Sequence, residues 1–134
     1  MDIDINPEQE MLLKTVRAFM EDELYPHEEE VDTLGFVPEE LGRQIEKRAI
    51  DIGLYSANLP EDIGGGGLDY SSMALVEREY GKTSHALHSW IGRPTELLLA
   101  CEGDQIDRYL MPCLRAEKRE LFALTEPSAG SDIM

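Results

Sequence analysis

Apolar residues recur at three- and four-residue spacing through the first 118 positions of this 134-residue chain, and a glycine or proline closes nearly every run. That period constrains the fold more than any other feature. Each run must bury one helical stripe, and helices joined by short loops solve the problem as a bundle. Asn6 caps the first helix, with Pro7 at its first position and Gln9 placed for a capping box. Leu12, Val16, Phe19 and Met20 form its stripe, and Pro26 kinks or ends it. A second helix opens at Pro38, carries Glu39 and Glu40 near its positive end, and stops at Gly53. Ser71 or Asp69 caps a third, which carries Met73, Val76 and Tyr80 and stops at Gly81. Thr83 or Ser84 caps a fourth that runs to about Cys101. It is apolar nearly all round, kinked at Pro94, and expected at the centre of the bundle. Asp104 caps a fifth, with Ile106, Tyr109, Leu110 and Leu114 on one face.

After residue 120 the period changes. "ELFALTE" alternates as a β-strand does, with Phe122 and Leu124 on one side and Ala123 and Thr125 on the other. A single strand needs a sheet, and no second convincing strand is visible in the sequence. The expected class is all-α, a five-to-six-helix bundle with one terminal β-strand. Residues 1–118 form the helical domain and 119–134 begin a second, incomplete one.

Composition narrows the function. Twenty-eight Asp and Glu oppose 12 Lys and Arg, for a net charge of −16. Such a chain repels phosphate backbones and anionic lipid, which argues against nucleic acid and membrane surfaces as partners. No window reaches the length of uncharged apolar residues that a membrane span needs. "MDIDINPEQE" reads neither as a signal peptide nor as a transit peptide. Cys101 and Cys113 have no zinc or disulfide spacing and read as small core residues, consistent with a reducing, cytoplasmic setting.

Other local features carry less chemistry. "HEEE" at 27–30 reads as a solvated face or helix end. The glycines of "LPEDIGGGGLDY" lack the lysine and hydroxyl of a phosphate loop, and no strand feeds them, so they read as a flexible turn. His85 and His88 share a helical face, but no third ligand lies near and no metal site is expected.

The closing segment is different. Glu126 before Pro127 is pushed toward extended geometry, and Ser128-Ala129-Gly130-Ser131 forms a turn in which Gly130 can take positive φ. Exposed backbone N–H groups and the hydroxyls of Thr125 and Ser131 could bond the polar edge of a planar cofactor. Over eleven consecutive positions "FALTEPSAGSD" resembles the signature of the acyl-CoA dehydrogenase family. "YLMPCLRAEK" is similar to the helix that leads into it, with Ala116 where glycine is usual. "LPEDIGGGGLDY" resembles the family's Pro-Glu-x-x-Gly-Gly loop. The resemblance covers essentially the whole chain.

It implies an N-terminal helical domain plus the opening strand of a middle β-domain, so the chain reads as a fragment. It implies FAD as cofactor, contacted by Phe122, Leu124, Thr125, Gly130 and Ser131. It implies an acyl-CoA substrate, with Ser131 at the meeting of substrate and flavin. The fourth helix, chiefly Leu87 and Trp90 with Ala86 and Ile91, would help to wall the acyl pocket, although core packing explains those residues as well. The reaction implied is α,β-dehydrogenation to a trans-2-enoyl-CoA, with a glutamate base expected beyond Met134 and therefore no catalytic residue within the segment. Electron-transferring flavoprotein and a homo-dimer or tetramer are the implied partners. Within the same fold the alternatives are enzymes like acyl-CoA oxidase or nitroalkane oxidase. Two alternatives lie outside that chemistry: a small acidic carrier or interaction module, disfavoured because Tyr70 and Ser71 separate Asp69 from Ser72, and a non-catalytic remnant that binds a full-length relative.

Overall fold

The computed structural model describes residues 4–121, 123 and 125–127. Six α-helices appear among them: α1 Pro7–Glu23, α2 Glu28–Leu34, α3 Glu39–Asp51, α4 Tyr70–Tyr80, α5 His85–His88 and α6 Met111–Leu114. Short 3-10 turns at Tyr25–His27, Glu61–Ile63 and Glu96–Ala100 connect them, and a π-turn at Ile106–Leu110 leads into α6. The all-helical class is as expected.

The first helix begins as its residues dictate. Gln9 N donates to Asn6 Oδ1 at 2.9 Å, and Asn6 N donates to Gln9 Oε1 at 3.2 Å. The Gln9 amide also donates to Ser71 Oγ and Ser72 Oγ at the start of α4. Asp69 caps α4, accepting from Ser72 N at 2.7 Å. Farther along, Arg17 of α1 meets Glu79 of α4. Two contacts in the same order along both chains make α1 and α4 a parallel pair. Their stripes enclose the core: Val16, Met20, Leu24 and Val76 are fully buried, with Ile45 and Leu87 from α3 and α5. Burying each such side chain contributes about 1.5–3 kcal/mol.

Several expectations need correction. Pro26 is not among them: α1 stops at Glu23, just before it, as expected of a helix that Pro26 kinks or ends. The chain turns once through Tyr25–His27 and resumes as α2, so Glu28, Glu29 and Glu30 form the acidic first turn of a helix, at its positive end. The long fourth helix is broken. It lasts from His85 to His88, and the chain re-forms only a 3-10 turn at Glu96–Ala100. Gly92 adopts φ +84° between them, and its carbonyl accepts from Ser56 N, a bond outside any helix. Leu97 and Leu99 are 65% and 44% exposed rather than central. The fifth helix starts without Asp104 as cap; Gln105 instead accepts from Glu102 N at 3.1 Å. Pro112 has no N–H to offer Arg108, and the Lys118 ammonium takes that carbonyl at 3.1 Å.

The glycine loop is not a loose turn. Gly65 N donates to Pro60 O, Gly66 N to Ser56 O, Gly67 N to Leu59 O and Leu68 N to Ala57 O, all within 2.8–3.1 Å. A Cβ on Gly65 would overlap the Leu59 backbone, and one on Gly66 would press on Ala57 Cα. The glycines permit close backbone approach, and their N–H groups are spent within the loop rather than free to cradle a phosphate.

The terminal strand is not formed among the described residues. Residues 118–121, 123 and 125 belong to no regular element, and Glu126 makes one isolated bridge. A strand needs a neighbour to receive its ladder, and none lies among the described residues. Among these residues no helix is long and apolar enough to cross a membrane.

Candidate functional site

Two features gather chemistry. The first is a cavity of about 300 Å³ between α4, α5 and the loop after α3. Leu54, Ala57, Met73 and Ile91 give it apolar walls, and Asn58, Glu77, Tyr80, His85, His88 and Arg93 give it polar ones. One turn of α5 sets His85 Nδ1 and His88 Nε2 2.9 Å apart, within hydrogen-bond distance. Burial, then His85, holds His88 below the usual histidine value. The His88 ring stacks on Tyr80, centroids 6.1 Å apart. Burial first, then Glu77, raises the Tyr80 phenol. Arg93 pairs with Glu77 at 3.0 Å. No group of three or more metal-ligating side chains occurs among the described residues.

The second feature lies where the chain leaves the helices. Arg119 Nη2 donates to Glu46 Oε1 at 2.6 Å, and its guanidinium lies 4.0 Å from the centroid of Trp90. Arg43 holds the other carboxylate oxygen at 3.0 Å. Trp90 lies flat on α3 at Gly42, where any Cβ would overlap the indole. A neighbouring cavity of about 290 Å³ is lined by Tyr55, Cys113, Lys118, Arg119 and Leu121 among others. Tyr55 donates to the Cys113 carbonyl at 2.7 Å. Burial first, then Glu46, pushes its phenol up to about 12, and burial likewise raises the Cys113 thiol. Beyond this clamp Leu121 is 97% exposed and Thr125 is exposed.

The expected site residues are distributed unevenly. Phe122, Leu124, Gly130 and Ser131 lie outside the described residues. Thr125 is on the exposed arm. Leu87 is fully buried in the core, and Trp90 belongs to the Arg119 clamp; neither lines the cavity beside α4. Of the four residues expected on the fourth helix, Ile91 alone lines it, together with His85 and His88. Asn58, Tyr80, Glu46 and Arg119 escape sequence reasoning. A signal for Glu46 exists: it lies on the buried face of α3 with Gly42, Ile45 and Ala49, where a carboxylate needs a partner.

A parallel α1–α4 pair, a glycine loop folded on itself and an arm clamped against Glu46 and Trp90 define a helical domain. Residues 6–117 match the family model of the acyl-CoA dehydrogenase N-terminal domain. The chain is 33% identical over 130 residues to the 3-(aryl)acrylate reductase of Clostridium sporogenes, covering 93% of this chain and 33% of that protein. It is 32% identical over 131 residues to subunit CarC of the caffeyl-CoA reductase-Etf complex of Acetobacterium woodii, covering 93% of this chain and 34% of the other. The crystal structure of an acyl-CoA dehydrogenase from Geobacillus kaustophilus superimposes with a TM-score of 0.75 at 23% identity, over 99% of this chain and 35% of its own, and shows the shared fold. The chain belongs to the acyl-CoA dehydrogenase family, a family of oxidoreductases. It spans about a third of the length of these two curated relatives.

Proposed function

We propose that this chain is the N-terminal portion of a flavin-dependent oxidoreductase acting on the Cα–Cβ bond of an acyl-CoA thioester. The observation that carries the proposal is the family match over residues 6–117, joined to an arm that continues into Thr125-Glu126-Pro127. Residues 1–118 form the helical domain, and 119–134 begin the next.

In the forward reaction the substrate loses a proton from Cα and a hydride from Cβ, leaving a trans-2-enoyl-CoA. FAD, when bound, supplies the hydride acceptor. Thr125 would hydrogen-bond the polar edge of its ring, Phe122 and Leu124 would pack or bond along it, and Gly130 would let the backbone approach. Ser131 would stand where cofactor and thioester meet. Fixed donors at that edge favour the charge gained on reduction. The glutamate base is expected beyond Met134, so the 134-residue segment is expected to be inactive alone. Electron-transferring flavoprotein is the proposed electron partner, with a homo-dimer or tetramer in the cytoplasm as the proposed setting. The relative from Acetobacterium woodii is named for an Etf complex, and both curated relatives above are named for aryl-type substrates. That extends the proposed substrates to aryl-bearing acyl groups.

The test compares two lengths of protein. The 134-residue chain is expected to bind FAD weakly and to show no acyl-CoA-dependent dye reduction. A chain extended over the remaining two-thirds of its relatives' length is expected to bind FAD tightly and to reduce the dye when acyl-CoA is added. In that longer protein Thr125→Ala should weaken FAD binding by about tenfold, one hydrogen bond to a group that becomes charged. A long chain that neither binds FAD nor oxidises any acyl-CoA refutes the reading. A yellow, active 134-residue chain refutes the placement of the base.

A further inference from the structure

A further recess, of about 480 Å³, lies between the Glu96–Ala100 turn and the π-turn at Ile106–Leu110. Its lining is largely apolar, with Leu97, Leu98, Cys101 and Tyr109 among its residues. Leu97 is 65% exposed and Tyr109 44%. Lys118, Arg119 and Glu120 of the exit arm line the same recess. An exposed apolar patch with polar residues at its margin marks an interaction surface.

The arm is pinned to the segments that wall this recess. Lys118 donates to the Arg108 carbonyl of the π-turn at 3.1 Å. The Glu120 carboxylate accepts from the backbone N–H of Thr95, the residue that caps the Glu96–Ala100 turn. Between them Arg119 is held by Glu46 of α3 and by Trp90. Fixing three consecutive residues costs conformational entropy. Its effect is that the chain leaves the helices at Leu121, beside an uncovered apolar surface. A tethered segment needs little contact area to occupy such a surface, because the tether keeps its effective concentration roughly millimolar. A separate molecule needs far more area, and a second copy adds repulsion between two chains of net charge −16. We infer that this recess is a docking surface for the polypeptide that continues after Met134, with Leu97 and Tyr109 as its apolar contacts. The inference rests on the reading above that the chain is the N-terminal portion of a longer protein.

The test needs no activity. Hydroxyl-radical footprinting, normalised to a free reporter in the same tube, measures how accessible each side chain is. Leu97 and Tyr109 are expected to react in the 134-residue chain. A fully buried side chain keeps about 5% of its surface or less. In the protein extended over its relatives' length both residues should therefore lose reactivity about tenfold. Leu97→Asp combined with Tyr109→Asp should move the melting temperature of the 134-residue chain by no more than about 2 °C, and lower that of the extended protein by about 5 °C. Equal labelling in the two lengths overturns the inference. So does protection already present in the 134-residue chain; if that chain runs as a dimer, the recess belongs to a second copy. An extended protein that oxidises acyl-CoA while both residues stay reactive refutes this inference alone. One that protects both residues but binds no FAD and oxidises no acyl-CoA refutes the proposed reaction alone.

Discussion

Ala116 is an alanine in a glycine's conformation. It follows α6 at φ +56°, while Glu117 N and Lys118 N both return to the Pro112 carbonyl. A left-handed backbone costs an L-residue about 1–2 kcal/mol, and glycine avoids that cost. Ala116→Gly is expected to stabilise the fold by about 0.5–1 kcal/mol, because glycine's gain in unfolded-state entropy offsets part of the relief. Calorimetry should show the melting temperature rise by about 2–5 °C. A fall would mean that the helix end gains more from alanine's stiffness than it loses in strain. The reverse situation holds at Gly42, where the absence of a side chain lets Trp90 lie on α3.

Glu79 and Glu46 each anchor an ionic contact between separate segments. Glu79, 1% exposed, receives Arg17 Nε and Nη2 at 3.1 and 2.9 Å from α1, and Lys82 and Arg78 from its own neighbourhood. Arg17 above all, with Lys82, holds its carboxyl down at about 2, against an ordinary 4.5. A carboxylate whose folded value is depressed stabilises the protein above its unfolded value, and that contribution fades as pH falls toward the folded one. Glu79→Gln should therefore be destabilised by about 2–3 kcal/mol at pH 6. The difference from the unaltered chain should shrink between pH 4.5 and about 2, as read by urea unfolding at each pH. A difference that stays constant would assign the role of Glu79 to shape rather than charge. The second contact holds the exit arm. Arg119→Ala leaves Glu46 with Arg43 alone and uncovers the chain's one tryptophan. Trp90 emission should move to longer wavelength, with a stability loss of about 1–3 kcal/mol. An unchanged spectrum would mean that the stack does not persist in solution.

At the scale of the whole molecule the net charge of −16 sets the balance. Like charges repel in the folded state, while local pairs such as Arg17–Glu79 attract. Raising salt from about 0.01 to about 0.1 M shortens the screening length from about 30 to about 10 Å. Repulsion acts over the longer distances and is screened first, whereas the close pairs are screened less. Melting temperature is therefore expected to rise by a few degrees across that range. A fall would show that the ion pairs outweigh the net charge.

Local rules determined much of this protein directly from its sequence. The capping box at Asn6 and Gln9, the cap at Asp69 and the apolar stripes of α1, α3 and α4 each depend on residues within one or two turns, so spacing alone reveals them. The eleven-residue closing motif resembles the signature of the family, and the match over residues 6–117 shows the membership. Only tertiary structure decided where the helical pattern after Ser84 breaks, because the carbonyl of Gly92 bonds across the fold to Ser56 instead of along its own helix. It also decided that the glycine loop is tight, since its partners are backbone atoms several residues back. The cavity of Asn58 and Tyr80 and the clamp of Glu46, Arg119 and Trp90 draw on residues 22 to 73 positions apart. No periodicity encodes such meetings; they exist only once the helices have packed.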